Sequence, residues 1–227
     1  MRRLLYLSGT RADYGLMRRT LFKISEHDQL DLGIIATGMH LGRRFGETVH
    51  EIEHDGFRIA GRIETDFGSS ESFMARAIAD TVKGCCDILE AERPDILLLL
   101  GDRGEMLAGA IAALHLNIPI AHIHGGERSG TVDEPVRHAI SKLAHIHLTA
   151  TSDAAERLVK MGEHSDNVYC LGAPGLDGLQ ADAVFSKEQL VQKSGIPDGL
   201  PIALMVMPSS TSTTSAATTS SRPSSIR

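Results

Sequence analysis

The chain has 227 residues, of which 42% are apolar, and its formal net charge is −6. This length suits one domain of ordinary size with a substantial core, and the apolar content excludes wholesale disorder. The acidic balance and the low aromatic content of 4% argue against a nucleic-acid-binding surface, which would be basic or rich in stacking side chains.

Short apolar runs alternate with segments in which apolar residues recur every three or four positions. The runs predict buried strands and the periodic segments predict helices. In chain order, the sequence predicts strand 4–7 and helix 16–24, strand 32–36 and helix 41–52, strand 57–63 and helix 73–89, strand 95–100 and helix 106–114, strand 118–123 and helix 135–144, strand 147–149 and helix 154–161, and strand 168–171. Strands that are apolar on both faces, each followed by a helix, predict an α/β fold with a doubly wound, Rossmann-like parallel sheet.

The C-terminal part of the chain changes character after residue 207. Residues 202–207 predict the start of a further strand, but 13 of the 19 residues from Ser209 to Arg227 are Ser or Thr. Such a segment buries no core and is predicted to be disordered. We therefore expect a Rossmann-like domain over 1–207 and a disordered tail over 208–227. A reading-frame change or a truncation would explain a strand that leads into such a tail.

Cysteine usage and hydropathy indicate the cellular compartment of the protein. Cys85 and Cys86 are neighbours, Cys170 is alone, and no pair has the CxxC spacing. This pattern is neither a disulfide framework nor a zinc site, and it favours a reducing compartment. The N-terminal apolar run is too short for a signal peptide, and no run approaches the roughly 20 apolar residues of a membrane span. We expect a cytoplasmic protein without a membrane partner.

Ligands of such sheets bind outside the carboxyl ends of the strands, so the residues that follow each strand are the candidates. Neither a GxGxxG string nor a P-loop follows the first strand, and we expect no cofactor. Arg11 is a candidate phosphate clamp at the start of a helix. The alternative is a surface pair of Arg11 with Asp13, in which Asp13 caps the helix. His40 follows the second strand, either as a ligand contact or as a structural or solvated histidine.

Two later strand ends carry more ionisable groups. Asp102 follows the most apolar strand and is a candidate for acid–base chemistry or ribose binding, or alternatively a helix cap. His124 and Glu127 lie after the next strand. With His122 they could form a metal site, although their spacing is not diagnostic and we expect no metal. Asp133 is either a catalytic carboxylate or an N-cap. Three further histidines are expected to be structural: His138, His145 and His147.

Five strings in consistent order, GTRADYG, GDR, HIHGGE, SGTVDEPVRHAISKLAH and LGAPGLD, resemble the hydrolysing UDP-N-acetylglucosamine 2-epimerases. The resemblance runs from about residue 1 to about residue 179. It implies the N-terminal half of a two-domain, glycosyltransferase-B-type fold that acts on a nucleotide sugar. The family's reaction eliminates UDP to leave a 2-acetamidoglucal. Water then adds at C1 and a proton returns to the opposite face of C2, which gives N-acetylmannosamine for sialic acid and related nonulosonate biosynthesis.

The resemblance also implies residue roles. Asp102 matches the family's catalytic aspartate, and Asp133 matches its second acidic position, four residues before Arg137. Arg11 matches a substrate-contacting arginine. His124 stands where many members have a glutamate, so either His124 or Glu127 is expected to complete the acid–base set. The full set of expected substrate contacts is Arg11, Asp13, His40, Arg103 and Arg137. Family members are usually dimers or tetramers, so a homo-oligomer is expected.

The same resemblance leaves two alternatives. In the family, a His-Pro string follows the strand that 202–207 would form, whereas Pro208 appears here without the histidine. One alternative is therefore an inactive remnant that only binds sugar or oligomerises. The other is a fragment of a sugar-nucleotide glycosyltransferase, over which the two acids and the SGTVD string favour the epimerase.

Overall fold

The computed structural model describes residues 1–66, 68, 72–182 and 184–195. The chain divides into two units, Met1–Asp182 and Ala183–Arg227. In the described residues the strands are β1 Arg2–Ser8, β2 Leu30–Thr37, β3 Ile59–Ile63, β4 Ile96–Leu100, β5 Ile120–Ile123, β6 Ile146–Thr149 and β7 Val168–Cys170. The helices are α1 Arg11–Ser25, α2 Val49–His54, α3 Phe73–Glu92, α4 Gly104–His115, α5 Asp133–Leu143, α6 Ser152–Lys160, α7 Leu179–Asp182 and, in the second unit, α8 Lys187–Ser194.

The seven strands of the first unit form one parallel sheet in the order β3-β2-β1-β4-β5-β6-β7. The order reverses between β1 and β4, which are neighbours in the sheet although α1, β2, α2, β3 and α3 lie between them in the chain. The predicted α/β fold class, with its doubly wound parallel sheet, is confirmed. Ligands of such sheets bind at the carboxyl edge beside this reversal, so the loops after β1, β4 and β5 form the natural site.

Two apolar cores cover the two faces of the sheet because successive side chains of a strand point to opposite faces. Leu5 and Leu7 of β1 pack into one core with residues of α3, α4 and α5. Leu4 and Tyr6 pack into the other core with residues of α1 and α2. The continuous apolar sequence of each central strand therefore reflects burial on both sides.

The helix predicted over 41–52 is wrong over most of its length. The structure has two short 3-10 turns, Gly38–Leu41 and Arg43–Phe45, before α2 begins at Val49. Gly42 is extended, and Gly46 has a φ of +87°, in the left-handed region where glycine is favoured. The two glycines therefore interrupt the apolar periodicity that predicts a continuous helix.

Three predictions lie outside the described residues: the strand at 202–207, the disordered segment 208–227 and the domain boundary at 207. No helix among the described residues is long and apolar enough to cross a membrane.

Candidate active site

Asp102 lies just beyond β4, at the centre of the carboxyl edge. Its carboxylate pairs with the guanidinium of Arg137 on α5, and the two side chains are 21% and 10% exposed. Burial raises the pKa of Asp102, Arg137 opposes this rise, and the charge of Asp133 adds to it. The N-cap of α4 is Arg103, so the alternative in which Asp102 caps this helix is wrong. A carboxyl with a raised pKa at a ligand-binding edge is suited to proton transfer.

Glu127 and His124 extend this pair into a connected set of charges. One carboxylate oxygen of Glu127 lies 2.8 Å from His124 Nδ1, and the other lies 3.9 Å from Arg137 Nη1. The contacts thus form a chain from Asp102 to Arg137, from Arg137 to Glu127 and from Glu127 to His124, in which the arginine lies between the two carboxylates. The structure therefore brings together four of the predicted site residues that are up to 35 positions apart in the chain.

The backbone of His124 adopts a left-handed conformation, with φ +63°. Such a conformation is unfavourable for a residue with a Cβ and is found where the surroundings enforce it. The His124 N–H donates to the Leu148 carbonyl oxygen at 3.0 Å, which ties the start of the loop to β6. Among the described residues, His124 Nε2 is buried without a hydrogen-bond partner. The ring is therefore held at Nδ1 by Glu127, and its second nitrogen has no protein partner.

His122 has a structural environment that differs from that of His124. Its Nε2 donates to the Gly101 carbonyl oxygen at 2.7 Å, and its Nδ1 lies 3.0 Å from Ser141 Oγ. Burial lowers the pKa of His122 to about 4. Because both ring nitrogens have protein partners, the alternative metal site with His124 and Glu127 has no support. In the described ranges, no three His, Cys, Asp or Glu side chains are arranged to hold an ion. The histidines expected to be structural have partners within the fold: His138 with Glu134, His145 with the Ile120 N–H and His147 with Glu163.

Two glycines fix the loop that carries His124 and Glu127. A Cβ on Gly125 would lie 2.9 Å from both His122 Nδ1 and Ser141 Oγ. A Cβ on Gly126, whose φ is +79°, would lie 2.4 Å from a backbone oxygen of α6. The HIHGGE string therefore encodes close packing of this loop as well as its ionisable side chains.

Asp133 is the first residue of α5, and the N-cap position belongs to Val132. The alternative in which Asp133 is a plain N-cap is therefore wrong. Its side chain is exposed and accepts a hydrogen bond from Thr131 Oγ1 at 3.2 Å. Its charge contributes to the raised pKa of Asp102.

Asp13 and His40 are buried at the end of β1. Asp13 accepts hydrogen bonds from the N–H groups of Gly9 and Thr10 at 3.1 and 2.7 Å, and it completes the capping box of α1. The Ser8 hydroxyl lies between Asp13 and His40, in contact with both. Burial raises the pKa of Asp13 and lowers that of His40. Both side chains are thus paired within the protein, which fits support of the loop better than direct contact with a ligand.

Arg11 is the exposed residue of this loop. Its Nε lies 3.2 Å from Glu51, and the two side chains are 74% and 46% exposed. The alternative of a surface pair of Arg11 with Asp13 is wrong because Asp13 is buried, whereas the part of that alternative in which Asp13 caps the helix is confirmed. Arg11 lines an open cavity of about 580 Å³ together with Arg18 and His50. An exposed pair of this kind contributes little to stability, so Arg11 is available to an anionic ligand.

Glu105 is a residue of the site that sequence reasoning did not single out. Arg103 Nη2 contacts Glu105 Oε1 at 3.0 Å. The Glu105 carboxylate packs over the backbone of Gly9 and Gly38, where an added Cβ would lie within about 3.3 and 2.9 Å of its atoms. It therefore joins the loops after β1, β2 and β4. The available signal was its position in the GDRGE string that directly follows β4.

A sequence model of the family described as UDP-N-acetylglucosamine 2-epimerase matches residues 23–214. A hydrolysing UDP-N,N'-diacetylbacillosamine 2-epimerase of Legionella pneumophila is 49% identical over 207 residues, which cover 91% of this chain and 55% of the relative. A UDP-N-acetylglucosamine 2-epimerase of Neisseria meningitidis serogroup B is 36% identical over 197 residues, which cover 87% of this chain and 52% of the relative. The chain thus spans about half the length of the curated relatives it matches.

Solved structures show the same fold. A crystal structure of UDP-GlcNAc 2-epimerase from Neisseria meningitidis bound to UDP-GlcNAc has a TM-score of 0.73 at 22% identity, and the match covers 86% of this chain and 54% of that one. A Methanocaldococcus jannaschii UDP-GlcNAc 2-epimerase in complex with UDP-GlcNAc and UDP has a TM-score of 0.69 at 20% identity, with 86% and 54% coverage. At these identities the likeness establishes the fold of the described sheet and helices.

Proposed function

Because this chain belongs to the UDP-N-acetylglucosamine 2-epimerase family, we propose that it catalyses the hydrolysing epimerisation of a UDP-linked 2-acetamido sugar. The observation that carries the proposal is the connected set Asp102, Arg137, Glu127 and His124 at the carboxyl edge. The leading substrate is UDP-N-acetylglucosamine, which gives N-acetylmannosamine and UDP. The name of the Legionella relative adds the diacetylated sugar as a second candidate.

The reaction needs proton transfer on both faces of C2. In the first step a base removes the C2 proton, the C1–O bond to UDP breaks, and the electron pair forms the C1=C2 double bond. In the second step an acid delivers a proton to the opposite face of C2, and the oxygen of water bonds to C1 while one proton of that water passes to a base. We assign these proton transfers to Asp102 and Asp133, with His124 and Glu127 as further candidates. The raised pKa of Asp102 supports this assignment.

The arginines of the site would stabilise charge in this reaction. Departure of a diphosphate is helped by cations fixed close to it. Arg11 is exposed at the start of α1 and is our candidate for the diphosphate contact. Arg137 contacts both Asp102 and Glu127, so its proposed role is to hold the two carboxylates apart and oriented. Arg103 is held by Glu105 beside them.

The biological setting is part of the same proposal. A related protein of Escherichia coli is named polysialic acid biosynthesis protein P7, and it is 34% identical over 197 residues. This supports a role in sialic acid or related nonulosonate biosynthesis. We also propose a cytoplasmic location, which cysteine usage favours. We further propose a homo-oligomer, which analytical sedimentation of the purified chain would test.

The experiment is incubation of the purified chain with each UDP-sugar in D₂O. We expect release of UDP and a 2-epimerised sugar that carries deuterium at C2, both followed by NMR. Asp102→Asn should lower the rate about 10²- to 10⁴-fold, since a positioned acid–base group contributes about that much. The matched control is Asp95→Asn, because Asp95 immediately precedes the same strand at its opposite end and accepts a hydrogen bond from the Arg3 N–H.

Each alternative gives a different result. Binding without UDP release indicates the inactive remnant and contradicts the proposal. UDP release with transfer of the sugar to an added acceptor indicates a glycosyltransferase. UDP release without deuterium at C2 indicates simple hydrolysis of the nucleotide sugar, which is also incompatible with epimerisation.

A further inference from the structure

A small pocket opens beside the site, where the carboxyl ends of β2, β3 and β4 meet the first turns of α3. Its volume is about 90 Å³. Most of its lining is apolar and comes from Met39, Phe45, Phe73, Met74, Ala77 and Ile78. This volume is several times the roughly 10–15 Å³ that one water requires, so the pocket has room for a group of a few heavy atoms.

The polar lining of the pocket comprises Arg44 and Thr65 together with Arg103 and Glu105, of which the last two lie at the start of α4. The two side chains meet through a single contact, Arg103 Nη2 to Glu105 Oε1 at 3.0 Å. Within the described part of the chain, Arg103 Nε and Glu105 Oε2 are buried without a hydrogen-bond partner. Buried polar groups are nearly always paired, so one donor and one acceptor left over together need an explanation.

The close approach of backbone and side chains keeps this arrangement in place. A Cβ on Gly38 would lie 2.9 Å from Glu105 Oε1, so the carboxylate fits only against a glycine there. A Cβ on Gly104 would lie 2.8 Å from the Ile78 side chain, which closes one wall of the pocket. Gly38, which follows β2, and Gly104, which begins α4, therefore permit the close packing that shapes the pocket.

We propose that this pocket binds an acetamido group of the nucleotide sugar. An acetamido group has one N–H donor, one carbonyl acceptor and one methyl. Among the lining side chains, Glu105 carries one unpaired acceptor and Arg103 carries one unpaired donor, and the rest of the lining supplies an apolar wall. In the bound state the amide N–H donates to Glu105 Oε2, the carbonyl accepts from Arg103 Nε, and the methyl lies against Met39 and Met74.

The two unpaired atoms are shielded from bulk water. Contact with the ligand therefore requires a small rotation of the guanidinium and carboxylate planes about their shared contact. Asp102 immediately precedes Arg103, so a sugar held here by its acetamido group is anchored next to the proposed acid–base residue. Arg103 and Glu105 are then residues that determine substrate specificity. The identification of the ligand as a nucleotide sugar rests on the proposed function.

The acetamido group has two possible positions on the sugar, and NMR of ¹³C-methyl-labelled methionine distinguishes them. The probes are UDP-glucose, UDP-N-acetylglucosamine and UDP-N,N'-diacetylbacillosamine, which carry no, one and two acetamido groups. Met39→Leu and Met74→Leu assign the two methyl signals. We expect both signals to shift with acetamido sugars and not with UDP-glucose. A shift with both acetamido probes identifies the C2 group, and a shift with the diacetylated probe alone identifies the C4 group.

Substitution of a pocket residue tests the same inference by affinity. Ala77→Leu fills the pocket from α3, and the loss of one buried methyl alone should weaken binding of the acetamido sugar about fourfold. Ala75→Leu is the matched control, because Ala75 is exposed on the same helix and does not line the pocket. Glu105→Gln preserves the shape of the pocket but replaces an acceptor with a donor, and it should also weaken binding while UDP-glucose binding stays unchanged.

The possible outcomes separate this inference from the proposed function. Methionine shifts without turnover leave the pocket assignment standing and refute the proposed activity of this chain. Turnover without shifts at Met39 and Met74 refutes the pocket assignment alone. The pocket assignment is also overturned if the methionine methyl signals do not shift with any of the three probes. Equal affinity of the Ala77→Leu and unsubstituted chains for the acetamido sugar overturns it too.

Discussion

Replacement of Gly126 by alanine tests whether the loop between β5 and α5 is fixed by close packing. Gly126 has φ +79°, and an added Cβ would lie 2.4 Å from the Ala154 oxygen and 2.9 Å from Leu158 Cγ. The left-handed conformation alone costs an alanine about 1 kcal/mol. Overpacking against α6 adds about 1–3 kcal/mol, because a backbone oxygen cannot rotate away as a flexible side chain can. We therefore expect Gly126→Ala to lower the free energy of unfolding by about 2–4 kcal/mol.

The matched control is Gly130→Ala in the same loop. Gly130 has φ +65°, and nothing lies within 4 Å of its added Cβ, so this variant carries the backbone cost without the steric one. We expect a loss of about 1 kcal/mol, measured for both variants by urea unfolding at pH 7. In thermal unfolding, each kcal/mol should lower Tm by about 2–4 °C for a chain of this size. Equal losses in the two variants would refute the argument that Gly126 is selected by its contact with α6.

Three further predictions concern charge. Burial lowers the pKa of His122 from 6.5 to about 4, so the unfolded chain binds a proton over a range in which the folded chain does not. The free energy of unfolding should therefore decrease by about 3 kcal/mol as the pH is lowered from 6.5 to 4. His122→Gln should reduce this slope in urea unfolding, and His115→Gln, at an exposed site, should not. Because the pKa of Asp102 is raised, the acidic limb of the kcat/KM profile should lie at a higher pH than it would for an ordinary aspartate. Arg137→Met removes the cation that opposes this rise, so it should move the acidic limb to a still higher pH. Arg11→Ala should weaken UDP-sugar binding in calorimetry but change the free energy of unfolding by less than about 0.5 kcal/mol, since its ion pair is exposed; a large loss of stability would contradict its assignment as a ligand contact.

The sequence was sufficient for the sheet because burial on both faces leaves a clear signal. Each of β1 to β7 overlaps an apolar run, and the run at 95–100 matches β4 almost residue for residue. The sequence pattern failed over 41–52, where apolar periodicity predicts a helix. Gly42 and Gly46 adopt non-helical backbone conformations there and interrupt it. Helix starts were also misplaced: α1 begins at Arg11 because the Thr10–Asp13 capping box satisfies its first N–H groups.

The candidate site was predictable in its members but not in its contacts. The position of Asp102 after the most apolar strand identified it without any knowledge of tertiary structure. Its pairing with Arg137 joins residues 35 positions apart and depends on how α5 lies across the end of β4. Asp13 was expected among the substrate contacts or, alternatively, as a cap of the helix, and its carboxylate accepts hydrogen bonds from the backbone of its own loop as part of a capping box. Periodicity and spacing describe which residues reach the edge of the sheet, whereas the direction of each side chain is set by packing.

Three strands of this sheet are followed directly by a left-handed residue: Gly38 after β2, Gly101 after β4 and His124 after β5, with φ of +57°, +79° and +63°. The backbone therefore enters the left-handed region one residue beyond the strand at three places along the carboxyl edge. Glycine makes this turn without steric cost, whereas a histidine pays about 1–2 kcal/mol for it. A fold that needed only the turn would be more stable with glycine at the third position as well. The position is instead occupied by an imidazole whose Nδ1 contacts Glu127 and, through it, the pair of Arg137 with Asp102. Glu47, Arg93 and Asn117 also have a left-handed backbone, so it is the strain at His124 combined with its contact to Glu127 that supports the proposed role of this side chain in the site.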